Sequence, residues 1–98
     1  MLINSVIRNE ALRNAQMIAE YEKLISKLPK GSLICRKNEY YYLKYRKEGK
    51  IFDEYIGKDP EAVDKVREQL ERRKHYELML LKLKQEQKKI SKIMELLE

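Results

Sequence analysis

The apolar residues of this chain change their spacing twice, and that change limits the folds open to it. From Ile7 to Leu28 they recur in alternating steps of four and three residues, the spacing of a helix that packs along another helix. Between Ser32 and Gly57 the period falls to two, which is typical of β-strands. Helical spacing returns from Pro60 onwards. The sequence therefore predicts an α+β fold: a long helix, a three-stranded antiparallel β-meander and a second long helix.

Turn and capping residues set the boundaries of these elements. Asn4 or Ser5 can cap the first helix, and Pro29 disfavours helical geometry in the residue before it. Asp59 followed by Pro60 is a strong signal for the start of a helix. The Asp59 carboxylate can cap the helix, and the backbone N–H that proline lacks would have no partner in the first turn of a helix. The predicted single domain, residues 1–98, thus has a helix over 4–28, a sheet over 32–57 and a helix over 60–97.

The two helices are predicted to pair as an antiparallel hairpin. The apolar seams 7–28 and 76–97 have equal length, about 32 Å of helix each, so that Ile7 should lie near Leu97. Asn14 and Gln87 interrupt the seams, and they can either hydrogen-bond to each other or point outward. Near residues 72–75 the apolar positions of the second helix move to another side of the helix. This shift indicates that residues 62–70 cover the sheet and do not pair with the first helix.

Composition argues against several classes of function. Cys35 and His75 are the only cysteine and histidine, so an internal disulfide is impossible and no metal site or cofactor is predicted. The chain has no phosphate-binding glycine loop and no nucleophile motif, and His75 follows three basic residues, so we predict no enzyme and no catalytic residue. No apolar run could span a bilayer, and no signal peptide is present, so the expected location is the cytoplasm, without membrane association.

Positive charge and tyrosine are concentrated in the predicted sheet. Residues 29–58 hold eight lysines and arginines against four acids, a net charge of +4 out of +6 for the chain. Alternation along the second strand puts Tyr41, Leu43 and Tyr45 on one face, which leucine marks as buried. Basic residues interleaved with aromatic rings suit phosphate contact and base stacking. The predicted nucleic-acid contacts are Arg36, Lys37, Tyr40, Tyr42, Lys44, Arg46, Lys47 and Lys50.

Two other interpretations of these patterns stay open. A solvated antiparallel face also favours tyrosine for its β propensity and lysine for solubility and edge protection. Apolar residues off the helical seams could instead bind another protein or a second copy of the chain through the helical arm; they include Leu2, Met17, Leu24, Leu78, Leu81 and Leu96.

The motif residues of the sheet carry a resemblance to a known group of proteins. The segments are Leu28 to Ser32, Tyr40 to Arg46, Gly49-Lys50 and Tyr55 to Lys58. Over roughly residues 28–75 the chain resembles a family of small bacterial and archaeal proteins of unknown function, many of them encoded near phage or other mobile-element genes. The resemblance implies a mobile-element setting and brings no established activity.

More loosely, three strands followed by a helix resemble the AP2-like or arm-type DNA-binding domains of phage integrases, whose open sheet face enters a DNA groove. That resemblance implies that Lys44 and Arg46 occupy reading positions. This chain differs from those domains in its long leading helix and its C-terminal extension, both of which the domains lack.

The leading hypothesis is a non-enzymatic nucleic-acid-binding protein of a phage or mobile element, with DNA favoured over RNA as the partner. The alternatives are a phage-type inhibitor that binds a nucleic-acid-bound host enzyme, such as an anti-CRISPR protein, and a helical-hairpin adaptor with no nucleic-acid role.

Overall fold

The computed structural model describes residues 2–97 and has the predicted order of elements. They are α1 (Leu2–Ser26), β1 (Ser32–Arg36), β2 (Tyr40–Lys47), β3 (Lys50–Gly57) and α2 (Pro60–Leu97). The three strands form one antiparallel sheet in the order β1-β2-β3, which confirms the α+β prediction. The chain divides into two compact units, which we describe separately. The helical unit comprises the described residues of 1–27 and 75–98, and the sheet unit comprises residues 28–74.

In the helical unit, α1 and the C-terminal part of α2 pack antiparallel along the predicted seams. Ile18, Ile25, Leu83 and Ile90 are the buried apolar residues of this unit. Tyr21 contacts Tyr76 edge to face, with ring centroids 5.6 Å apart. The helical hairpin expected from the sequence is therefore present.

The two polar residues of the seams behave differently from each other: Gln87 points outward, as one of the two alternatives predicts, whereas Asn14 follows neither. Asn14 is buried, with 2% of its surface exposed, and its Nδ2 donates a 2.9 Å hydrogen bond to the Leu83 carbonyl. Gln87 is exposed. Asn14 thus bonds to the backbone one turn before Gln87, because its short side chain reaches the nearest carbonyl of the facing helix.

The first helix lies two residues earlier in the chain than predicted at both ends. It begins at Leu2 and ends at Ser26, where the Lys27 N–H bonds to the Leu24 carbonyl at 3.3 Å in a tighter last turn. Pro29 had been expected to end the helix at the residue before it, but it acts further back, since Leu28 already leaves helical geometry. The second helix occupies Pro60–Leu97, which coincides with the predicted range.

Two tight turns give the meander its shape. Glu48 and Gly49 form a two-residue loop with φ of 52° and 78°, the positive pair found in type I′ hairpin turns. Lys37 and Asn38, both with φ of 56°, connect β1 to β2. A bulge on β3 beside Tyr41 and Tyr42 shifts the register near the end of the sheet.

The core of the sheet unit is small. Leu43 from β2 and Val63 from α2 are its most buried apolar residues, at 4% and 3% exposure. Leu33 and Leu70 line a common groove, which places the first turns of α2 next to the start of β1. The Asp59 carboxylate accepts a 3.2 Å hydrogen bond from the Glu61 N–H, so the predicted cap starts α2.

Candidate nucleic-acid interface

The pairing of the strands defines which side chains share a face with the predicted contacts. Residues directly opposite each other on neighbouring strands point to the same side of a sheet. Tyr42 lies opposite Ile34 and Tyr55, and Lys44 lies opposite Ser32 and Asp53. We call this side the open face; its polar and aromatic members are Arg36, Tyr40, Tyr42, Lys44, Arg46, Asp53 and Tyr55.

The other side of β2 faces the core, as the alternation predicts. Leu43 is buried, and Tyr45 stacks on Phe52 with ring centroids 5.5 Å apart and an interplanar angle of 19°. Lys44 and Arg46, on the open face, are exposed. The two faces of the sheet therefore differ: one contains the buried Leu43, and the open face has exposed cations next to partly exposed tyrosines in the middle of β2.

Three tyrosines form a cluster on the open face. Tyr55 lies between the other two, with its ring centroid 5.3 Å from that of Tyr42 and 6.5 Å from that of Tyr40. We call these three residues the tyrosine cluster. Together with Arg36 and Lys37 they line a shallow depression on the surface. Four of the predicted contact residues thus meet in this depression. A fifth residue, Tyr55, also lines it, although Tyr55 is not among the predicted contacts.

Arg36 is held over the tyrosine cluster by two contacts. Its guanidinium carbon lies 4.7 Å from the centre of the Tyr42 ring. Its Nη2 lies 2.7 Å from the Asp53 carboxylate, in an ion pair whose side chains are 50% and 33% exposed. A pair this exposed contributes about 0–1 kcal/mol to stability. Its main effect here is to orient the guanidinium and to offset part of its charge.

The opposite end of the tyrosine cluster carries a second cation. The Lys58 Nζ lies 5.9 Å from the centre of the Tyr40 ring and 3.3 Å from a Glu39 carboxylate oxygen. Lys58 was not among the predicted contacts. The tyrosine cluster is therefore bordered by cations that already have acidic partners, and their capacity to bind phosphate is reduced accordingly.

Lys44 and Arg46 continue the open face along β2 towards the hairpin tip. Both side chains are exposed, and neither forms an ion pair with any described residue. Their charges are therefore fully available to an anionic partner. Lys47 and Lys50 are exposed at the tip, but alternation along the strands directs them to the opposite side of the hairpin from Lys44 and Arg46.

The basic run 72–74 on α2 does not simply extend this surface. Arg73 is half-buried, and its Nη1 donates a 2.7 Å hydrogen bond to the Leu28 carbonyl. That contact joins the segment after α1 to the middle of α2 within the sheet unit. Arg73 therefore has a structural role that its charge alone did not suggest.

The geometry of the described chain gives no sign of other chemistry. Within residues 2–97, no three side chains of histidine, cysteine, aspartate or glutamate lie close enough to hold a metal ion together. Over the same range, neither helix is apolar enough along its length to cross a membrane. Cys35 is an exposed free thiol.

A helix, a three-stranded meander and a second long helix thus define an α+β protein with one chemically distinct sheet face. The model of the family described as Domain of unknown function (DUF6788) matches residues 8–68, and the chain belongs to that family. The match includes the whole sheet and both of its turns. Membership of an uncharacterised family, expected from the sequence motifs, is confirmed. Neither the curated proteins nor the solved structures include a significant match to this chain.

Proposed function

We propose that this protein is a non-enzymatic nucleic-acid-binding protein of a phage or mobile element that uses the open face of its sheet. The observation that carries the proposal is the line of side chains along β2. The partly exposed rings of Tyr40 and Tyr42 lead directly to two exposed cations without acidic partners, Lys44 and Arg46.

The two parts of the open face suit different parts of a nucleic acid. Lys44 and Arg46 can bind phosphate oxygens, and such contacts supply most of the affinity in sequence-independent binding. The rings of the tyrosine cluster can stack on a base or pack against a sugar. Arg36, held over Tyr42 and paired with Asp53, adds a planar donor group beside the rings.

The sequence resemblances support the same assignment. Three strands followed by a helix resemble the DNA-binding domains of phage integrases, in which an open sheet face contacts DNA, and that resemblance implies reading positions for Lys44 and Arg46. DNA is on this ground the favoured partner. The mobile-element setting of the resembling proteins agrees with such a role.

The proposal is tested by fluorescence anisotropy with labelled duplex DNA, single-stranded DNA and RNA. Removing two phosphate contacts in the double variant Lys44→Ala/Arg46→Ala should weaken binding by about tenfold or more at moderate salt. The matched control is Lys88→Ala/Lys92→Ala, which removes the same charge from two exposed lysines of α2.

Equal losses in the two double variants would show that binding follows net charge and not the open face. Absence of binding to all three nucleic acids by the wild-type protein would contradict the proposal outright. In that case a pull-down for a protein partner, including a nucleic-acid-bound effector, becomes the next experiment.

A further inference from the structure

The helical unit carries a second stripe of side chains beside its buried seam. On α1 each residue of this stripe directly precedes a residue of the buried seam in the sequence. The residues of the stripe are therefore spaced by the same alternating steps of three and four. The equivalent stripe on α2 borders the same groove, because Glu10, Arg13 and Met17 line it from one helix and Met79, Lys82 and Glu86 from the other. We call this side of the hairpin the groove side.

The groove side is apolar at its end and charged in its middle. Ile3 and Val6 of α1 are 60% and 52% exposed, and Ile93 and Leu96 of α2 are 41% and 84% exposed. The antiparallel register, fixed by the Tyr21–Tyr76 contact and the Asn14–Leu83 hydrogen bond, brings these four residues to the same end of the hairpin. This amount of exposed aliphatic surface at one place favours a covered state.

The charged middle of the groove side is balanced and unpaired. Glu10 and Arg13 of α1 and Lys82 and Glu86 of α2 line the groove, two acids and two bases. None of these four side chains forms an ion pair with another described residue. A surface with equal numbers of free acids and bases is poorly suited to nucleic acid and well suited to a partner with the same arrangement of charges.

Asn14, at the floor of the groove, has an unsatisfied acceptor. The residue is 2% exposed and its Nδ2 is used by the Leu83 carbonyl, which leaves the buried Oδ1 without a hydrogen-bond partner. A buried acceptor without a donor destabilises the folded state. Asparagine within an apolar seam is also a known device for fixing the register and number of paired helices.

We infer that the groove side binds a second copy of this chain, giving a two-fold symmetric four-helix bundle. A two-fold axis parallel to the helices lays α1 of one copy antiparallel on α2 of the other, at the same level. The register then places Val6 against Ile93, Met17 against Met79, and Glu10 beside Lys89 of the other copy. Lys82 of the second copy comes level with Asn14, at the floor of the groove.

The test is sedimentation equilibrium of the full-length protein over a wide concentration range. The wild type is expected to form a dimer, and Val6→Lys should weaken its association by at least about tenfold because a charge replaces apolar surface in the interface. Leu12→Lys is the matched control: Leu12 is also on α1 and has a similar exposure, 60% against 52% for Val6, but it lies off the groove side. Circular dichroism of each variant separates loss of association from loss of folding.

Charge exchange gives a second, independent readout. Glu10→Lys should weaken the dimer, and Glu10→Lys/Lys89→Glu should restore it, because the pair is rebuilt with its signs reversed. A wild-type protein that stays monomeric at all concentrations would overturn the inference. So would equal effects of Val6→Lys and Leu12→Lys, which would place the interface elsewhere. Neither outcome depends on nucleic-acid binding.

Discussion

Tyr55 is the side chain that joins the tyrosine cluster on the open face. Its ring lies within 6.5 Å of Tyr40 and within 5.3 Å of Tyr42, measured between centroids, and 56% of the residue is exposed. A ring so exposed is not required for the core of the sheet unit. Under the proposed function, its ring between two other rings is available to stack on a base.

We therefore expect Tyr55→Leu to weaken binding to single-stranded DNA by about five- to 150-fold, which corresponds to the 1–3 kcal/mol of one stacked base. Tyr55→Phe keeps the ring and should bind nearly as well as the wild type. Fluorescence anisotropy of both variants at one salt concentration measures this difference. Equal affinities for the leucine and phenylalanine variants would mean that the ring does not stack on the nucleic acid.

The inclusion of Tyr55 in the site could have been predicted, whereas the ion pair between Arg36 and Asp53 could not. A two-residue turn at Glu48 and Gly49 pairs Lys47 with Lys50, and counting back along both strands brings Tyr42 opposite Tyr55. The pairing of Arg36 with Asp53 joins β1 to β3 across β2 and depends on side-chain conformations, for which spacing along the chain gives no signal.

At the scale of elements, the turn after α1 is held against β2 by one glycine. Gly31 has a φ of 127°, a region that side chains rarely adopt, and a Cβ placed on it would lie 2.3 Å from the Lys44 carbonyl oxygen. Backbone atoms on the neighbouring strand cannot move aside as a flexible side chain can. Gly31 therefore fixes how the chain enters the sheet next to Lys44, a residue of the open face.

Gly31→Ala should destabilise the protein more than Gly57→Ala does. Both glycines have a similar φ, 127° and 118°, but a Cβ on Gly57 meets nothing within 4 Å. Gly57→Ala should therefore cost about 1–3 kcal/mol from backbone strain alone, and Gly31→Ala should cost about 1–3 kcal/mol more from the steric overlap. Urea unfolding followed by circular dichroism measures both. Equal losses would show that the close approach to Lys44 does not contribute.

The elements themselves followed from local signals, and the exceptions have physical causes. The Asp59-Pro60 cap and the Glu48-Gly49 turn are short-range devices, so the sequence predicted the ends of the sheet and the start of α2 closely. The end of α1 was placed two residues too late because its last turn tightens before Pro29. The bond from Asn14 to the Leu83 carbonyl depends on how two helices meet, which the seam alone does not specify.

At the scale of the whole molecule, the most basic segment and the exposed aliphatic end of the groove side belong to different units. The sheet unit contains the segment 29–58, whose net charge is +4, and the helical unit contains the groove side with its balanced charges. On the two proposals made above, the sheet unit binds an anionic polymer and the helical unit binds a copy of the chain. Two open faces in one dimer would raise the affinity for a long nucleic acid without any new type of contact.

The most direct test of the central claim is the salt dependence of nucleic-acid binding. If about four phosphates are engaged on duplex DNA, the logarithm of the binding constant should fall against the logarithm of salt concentration with a slope of about −3 to −4. Lys44→Ala/Arg46→Ala should make that slope shallower by about 2, because each lysine or arginine that binds a phosphate contributes about 1. The control Lys88→Ala/Lys92→Ala should keep the wild-type slope. A flat response of the wild type, or the same slope in all three proteins, would contradict a nucleic-acid interface on the open face.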